Sequence, residues 1–293
     1  MKIPGDFLNV FENFRNSRGS KENLVKSMEL KEDTKNNMLS VLGKTDPFLL
    51  SFLWICMEEQ HNMLLLAANS ANTNDFMDTL GILVPNHHTT QIIGKSNKFD
   101  NRLNFINAHA LGNSIEGQID VANRIIPDRI IIEKANEFLA DVFELAKFGV
   151  SFVASVNGEF CNRNLIKKLN SEFKVNKNNM NMVDISVLIQ EVNGIAAITG
   201  ITEYKWLQRY EIKANEYDMI AKDYTNIRLM NESKLDIMQL DKSKIIEKYM
   251  RDNLIGIEDI YEELTKRAEF LKSLSNKENM RYTNPIEMYY EIK

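Results

Sequence analysis

The chain has 293 residues, 44% of them hydrophobic, with 36 Lys and Arg against 41 Asp and Glu for a formal net charge of −5. That length and apolar content support a real core in one large domain or two modest ones. The acidic balance, with no basic stripe, excludes a nucleic-acid-binding surface as the main business of the chain. Cys56 and Cys161 lie far apart in apolar segments and read as core thiols of a reducing cytosolic compartment. Met1-Lys2 leads into Pro4-Gly5-Asp6 rather than an apolar leader, and the longest apolar runs, such as Phe48–Met57, fall short of a membrane span.

In chain order, residues 1–47 are polar and rich in Lys and Asn, with weak helical spacing in Phe7–Phe14 and around Leu24–Leu30; they read as a short helical or linker segment. Gly43-Lys44-Thr45 imitates the end of a phosphate loop, but Met38 occupies the upstream Gly position and no strand precedes it, so it is a turn. Asp46 caps a helix with Pro47 in its first turn, predicted over Phe48–Gln60. A strand Met63–Leu66 follows, then a turn of small residues, then a helix Asp75–Leu83 ended by Pro85. Thr89–Ile93 is the next strand, and Ile115–Arg124 a helix. Pro127-Asp128 opens a short strand Arg129–Ile132, buried on both faces; helix Asn136–Lys147 and strand Val150–Val156 come next.

This alternation predicts a mainly parallel, doubly wound sheet. Val183–Gln190 and Ile195–Glu203 flank Asn193-Gly194, the turn pair that favours a hairpin, so an antiparallel hairpin is expected at the edge of the sheet. Lys174–Asn181 reads as a mobile, low-complexity loop. From Trp206 to Asp241 the pattern is irregular, with a hairpin near Ile227–Leu240. The tail is helical over Lys242–Arg251 and Ile257–Leu274, with a last short helix from Pro285. The expected divisions are 1–47, a core domain over 48–205 and a hairpin-plus-helix subdomain over 206–293.

The segment after the first strand carries the functional signal. A phosphate-binding loop of the form GxxxxGKS/T uses Gly so that backbone N–H groups wrap phosphate, Lys for its charge and a hydroxyl for Mg²⁺. Here Ala67 takes the first Gly place, Asn69, Ser70 and Ala71 lie within the turn, Asn72 takes the second Gly place, Thr73 the Lys and Asn74 the hydroxyl. A Cβ where a left-handed Gly belongs costs about 1–2 kcal/mol, so Ala67 implies another loop shape. Losing the Lys forfeits charge-assisted bonds of roughly 1.5–3 kcal/mol, about tenfold in affinity for each 1.4 kcal/mol.

Four segments, in order, resemble the type II/IV secretion ATPase superfamily, and best its archaeal branch that drives archaella and type IV-like pili. The first is FLWICMEEQHNMLLLAANSANTNDFMDTLGILVP, whose family counterpart holds the phosphate loop at its centre. The second, Pro127-Asp128-Arg129-Ile130-Ile131-Ile132-Glu133-Lys134, is similar to the Walker B strand RPDxIIVGEVRG. The third, Ile198-Thr199-Gly200-Ile201-Thr202-Glu203, is similar to RxVTxITE, and the fourth, from Glu262 to Leu271, to the helix EELxRRxxxL. The resemblance covers about residues 48–293 and implies a RecA-like P-loop NTPase-type sheet with an edge hairpin and a helical C-terminal tail.

It also implies an active site that this chain has lost. Lys134 stands where the catalytic Glu belongs, and Glu133 at the preceding Gly. The family's acidic box falls on Ile93-Gly94-Lys95, its histidine box places Asn157 where His is usual, and Asn136 falls where Arg is usual. Arg15 and Arg18 precede the matched region without any mark of a trans-acting role, and His61, His87, His88 and His109 lack metal-ligand spacing; His87-His88 reads as a solvated loop. Glu133 and Lys134 are therefore vestigial positions, with no catalytic residue, no metal site and no required cofactor; ATP with Mg²⁺ is the doubtful exception.

The resemblance implies a pseudo-ATPase acting as a structural or regulatory subunit. Its partners would be an active motor ATPase paralogue or the membrane platform protein of a pilus or secretion complex, in a homo- or hetero-oligomer. It would be cytoplasmic, held peripherally at the inner face of the membrane. The alternative is an atypical ATPase that uses Thr73, Asn74 and Glu133.

Overall fold

The computed structural model describes residues 32–68, 71–94, 105–107, 114–158, 165–193, 195–213, 216–231, 234–274 and 289, with the side chains of 32–35, 107, 206–226 and 231 outside the description. Its centre is an eight-stranded sheet in the spatial order β3-β2-β4-β5-β1-β6-β7-β8. The strands are β1 (Met63–Ala67), β2 (Thr90–Ile93), β3 (Phe105–Asn107), β4 (Arg129–Ile132), β5 (Ser151–Asn157), β6 (Ile185–Val192), β7 (Ile195–Lys213) and β8 (Glu216–Arg228). From β3 to β6 every pairing is parallel; β6–β7 and β7–β8 are antiparallel. The loop-bearing strand β1 thus lies centrally, with β5 inserted between it and β4, the RecA-like arrangement expected from the sequence.

The strands are buried on both faces, which is why they read as continuous apolar runs rather than as alternations. Successive residues still point to opposite sides. Met63 and Leu65 of β1, Ile131 of β4 and Val153 of β5 enter one core; Leu64, Leu66, Ile130, Ile132, Phe152 and Ala154 enter the other. The first core is covered by helices α1 (Glu32–Leu42), α2 (Pro47–Glu58) and α3 (Asn74–Ile82). The second is covered by α4 (Ile115–Ile125), α5 (Leu139–Ala146) and the short α6 (Leu165–Ser171).

Local chemistry sets the boundaries. Asp46 accepts a hydrogen bond from the Phe48 N–H at the start of α2, and its other carboxylate oxygen takes the Leu235 N–H at 3.1 Å, tying the helix start to the chain 189 residues on. Ser114 caps α4 through the Gly117 N–H at 3.1 Å. The short hairpin β9 (Met230–Asn231) and β10 (Lys234–Leu235) leads into α7 (Ile237–Leu240), then α8 (Lys244–Asn253) and α9 (Ile257–Leu274). Helix α9 returns to the first core and lies along α2. Their contact holds a buried Arg267, which meets Glu58 at 2.7 Å and Glu263 at 2.9 Å, donates to the Tyr249 hydroxyl oxygen at 3.1 Å and lies 4.8 Å from the Trp54 ring centroid.

Three expectations change. Lys174–Asn181 is not a mobile loop: Lys177–Met182 forms a 3-10 helix capped by Asn176, and Asn179, only 2% exposed, donates to Glu144 at 2.9 Å. The polar composition there serves caps and side-chain bonds rather than solvent. The irregular stretch after Trp206 is strand: β7 runs on to Lys213 and pairs with β8, so the hairpin forms the sheet edge together with a further long strand. Arg209, Glu211 and Lys213 alternate with Tyr210 and Ile212 as in a strand, but the alternation changes phase at Leu207–Arg209, where the pairing with β8 also shifts register. Strand β3 and helices α1 and α6 also escaped the pattern, each being short or mixed in composition. The readings at Phe7–Phe14, Leu24–Leu30 and Pro285 lie outside the described residues. Among those described, no helix is long and apolar enough to cross a membrane.

Candidate functional site

The C-terminal ends of β1, β4 and β5 bring the sequence-predicted positions to one edge of the sheet. Ala67 ends β1 as a strand residue, in register with Asn157 of β5 and Ile189 of β6, and its carbonyl accepts the Gly158 N–H at 3.1 Å. It is fully buried. Asn69 and Ser70 lie outside the described residues. Ala68 and Ala71 turn inward, closed by an Ala71 N–H to Ala68 carbonyl bond of 3.1 Å. None of the loop's described residues has a positive φ, so the left-handed Gly geometry of a phosphate cradle is absent from them.

Among the described residues, the side chains of Thr73 and Asn72 are engaged with the protein itself. Thr73, in the Lys place, is 6% exposed, and its hydroxyl pairs at 2.7 Å with that of Ser155, itself 1% exposed, on β5. Thr73 consequently makes no side-chain cap to α3. Asn72 does that work: its Oδ1 accepts the Asn74 N–H at 3.0 Å, occupying one of the donors that a helix N-terminus would offer to an anion. Asn74, in the hydroxyl place, is exposed as the first residue of α3.

The residues around Glu133 and Asn136 are also held by the protein. The Glu133 N–H donates to the Ile93 carbonyl at 3.1 Å, and its side chain lies over Gly94 at the end of β2. Gly94 has φ +123° and a Cβ added there would meet the Glu133 Cβ at 3.2 Å, so that position requires glycine. Glu133 therefore leans toward β2, while β5 separates its strand from β1; two strand spacings amount to roughly 9–10 Å. Lys134 is exposed, with φ 55°. Asn136 clamps Asn157 from both sides of its peptide, donating to its carbonyl at 2.7 Å and accepting its N–H at 2.9 Å. The two positions where the resembled family has Arg and His thus bind each other.

The other candidates resolve as follows. Gly43-Lys44-Thr45 is the turn between α1 and α2. Cys56 is a buried free thiol pushed up in pKa first by burial and then by the carboxylates of Glu203 and Asp184; Cys161, Lys95, His109, Arg15 and Arg18 lie outside the described residues. His88 is not in a solvated loop. It is 7% exposed, and burial, with the nearby His87 and Arg129, lowers its pKa from 6.5 to about 4. Among the described residues no three His, Cys, Asp or Glu side chains converge as a metal site would need.

At the opposite end of the sheet lies a polar group that the sequence reading did not single out. His61, Asp184 and Glu203 line a cleft of about 430 Å³ beside α8. Glu203 is 1% exposed, an unusual place for a carboxyl in the apolar run of β7, and that acid inside an apolar strand was the available signal.

No family model matches this sequence, and no curated protein matches it. Among solved structures the chain is similar to the VirB11 ATPase from the Brucella suis type IV secretion system, in complex with sulphate. The identity is 15%, over 52% of this chain and 51% of that one, with a TM-score of 0.41. It is also similar to the Legionella pneumophila ATPase DotB, at 9% identity over 56% of this chain and 50% of that one, with a TM-score of 0.40. The chain spans about half the length of each.

Proposed function

We propose that this chain is a catalytically degenerate relative of the type II/IV secretion ATPases that serves a pilus, archaellum or secretion machine as a structural or regulatory subunit. The observation that carries the reading is the Thr73–Ser155 hydroxyl pair, 2.7 Å long and buried, at the place where a phosphate-binding Lys would project. A pair of buried hydroxyls bonded to each other supplies neither charge nor a Mg²⁺ ligand, and a carboxylate held over Gly94 is badly placed to polarise an attacking water. The four family-like segments support the descent, because they fall on α2–β1–α3, β4, β7 and α9 of a RecA-like sheet.

In this reading the scaffold is retained for contacts with an active motor ATPase or a membrane platform, which would hold the chain at the inner face of the membrane. The test is calorimetry with Mg-ATP together with a phosphate-release assay. No saturable heat and no turnover are expected. Turnover at rates typical of working ATPases would overturn the proposal, and loss of that turnover on Glu133→Gln would establish the atypical-ATPase alternative.

A further inference from the structure

An apolar groove opens where α2 begins and α9 passes it. Its floor is Leu235 of β10, Leu240 of α7 and Leu264 of α9, at 7%, 0% and 1% exposure; Phe48 in the first turn of α2, Ile237, Tyr261 and Thr265 form its walls. Asp236 accepts the Met238 N–H at 3.1 Å and so fixes the first turn of α7, where Ile237 and Met238 stand 48% and 79% exposed. Exposed apolar side chains that border an apolar groove form one patch, and such a patch marks a binding surface. The groove's volume, about 220 Å³, is below the ~300–1,000 Å³ of small-molecule sites, so it suits side-chain anchors rather than a free ligand.

A segment of the chain itself carries matching anchors. Phe7, Val10, Phe11 and Phe14 recur at i, i+3, i+4 and i+7, the spacing with which an amphipathic helix lies in a groove, and Asn9, Glu12 and Asn13 fall on the opposite side. Arg15 and Arg18 continue the apolar side at i+8 and i+11. The charge along the α9 wall is of the complementary sign. Glu258, Glu262 and Glu269 are exposed and line up with Thr265 on one side of that helix, and Lys266, 2.6 Å from Glu262, offsets only part of their charge.

Reach is sufficient. A coil as long as residues 15–31 spans about 23 Å on average. Helix α1, 11 residues long, covers about 16 Å between Glu32 and the turn that leads to Phe48. The other end of the chain is committed elsewhere: the Tyr289 ring centroid lies 5.0 Å from that of Trp54 and 5.4 Å from that of Phe270, and its hydroxyl donates to Glu263 at 3.0 Å.

We propose that this groove is the docking site of the chain's own N-terminal segment, which lies in it as a helix with Phe7, Val10, Phe11 and Phe14 inward and Arg15 and Arg18 toward the acids of α9. A partner's helix of the same pattern would reach the groove only by displacing this tethered one. The proposal does not involve the loop end of the sheet and stands whether or not nucleotide binds there.

The experiment is photo-cross-linking of the full chain, with p-benzoylphenylalanine in place of the exposed Met238 and peptide mapping by mass spectrometry. The expected product is an intramolecular link from position 238 to residues 7–18 that persists on dilution. Phe11→Asp with Phe14→Asp should lower its yield roughly tenfold or more, with the circular dichroism spectrum of the parent retained. Thr265→Arg should lower the yield from the groove side. Arg15→Glu with Arg18→Glu should lower it several-fold, and adding Glu258→Arg and Glu262→Arg should restore it, a rescue that chance proximity of the segment would not give. Links only to residues 275–288, no link to residues 7–18, or a yield indifferent to Phe11→Asp with Phe14→Asp would overturn the proposal. Links to residues 7–18 that form only between chains and fade on dilution would also overturn it and assign the groove to a second copy.

Discussion

Replacing Thr73 by Val tests whether the loop's central hydroxyl is a structural group or a ligand-binding one. The exchange keeps the side-chain shape and deletes one partner of a buried 2.7 Å hydrogen bond, stranding the Ser155 hydroxyl at 1% exposure. A stranded buried polar group costs about 1–3 kcal/mol, whereas removing both partners costs much less, because no orphan remains. Thr73→Val and Ser155→Ala should therefore each lower stability by about 1–3 kcal/mol, and the double variant should fall short of their sum by 1 kcal/mol or more, roughly the worth of one net hydrogen bond. Urea unfolding of the four proteins with a common m-value measures all three quantities. Single losses below about 0.5 kcal/mol that add without coupling would refute the reasoning. Thr73 would then be free for a phosphate, and Mg-ATP affinity in Thr73→Val would become the deciding measurement.

Two further perturbations probe the frame around the site. Arg267→Met leaves Glu58 and Glu263 facing each other's charge in the α2–α9 contact and should cost about 3–5 kcal/mol by denaturant titration; adding Glu58→Gln and Glu263→Gln should return much of it, since the uncompensated charges then vanish. His88 contributes a pH dependence of defined sign. Its native pKa of about 4 lies below the ordinary 6.5, so its contribution is complete above 6.5 and is lost as pH falls toward 4. Between about pH 7.5 and pH 5 that loss amounts to about 2 kcal/mol. Burial raises the pKa values of Glu58 and Glu203, which drives stability the other way, so the readout is the difference between wild type and His88→Asn. Identical pH profiles for the two proteins would remove His88 as the source.

The sheet was legible because its strands are short apolar runs with unambiguous stops. Asp46-Pro47, Pro85 and Pro127-Asp128 mark boundaries by local chemistry, and α2, β1, β4 and α9 appear within a residue or two of their expected ends. The long arm β7–β8 was not legible, because its pairing is a property of two strands together rather than of either sequence. The loop shows the same division. That Ala67 and Thr73 lack phosphate chemistry follows from residue type alone. That Thr73 meets Ser155, 82 residues away, and that Asn136 clamps Asn157 depend on the order in which strands lie side by side. Burial of His88 was hidden for the same reason: a polar pair after a helix-ending proline looks solvated until the neighbouring β2 and β4 are placed beside it.

How far the polar groups at the loop end of the sheet are satisfied bears on whether a ligand can act there. Among the described residues at the loop end, Thr73 has Ser155, Asn136 has Asn157, and the Asn72 side chain takes the Asn74 N–H. A nucleotide would have to displace those bonds before gaining its own.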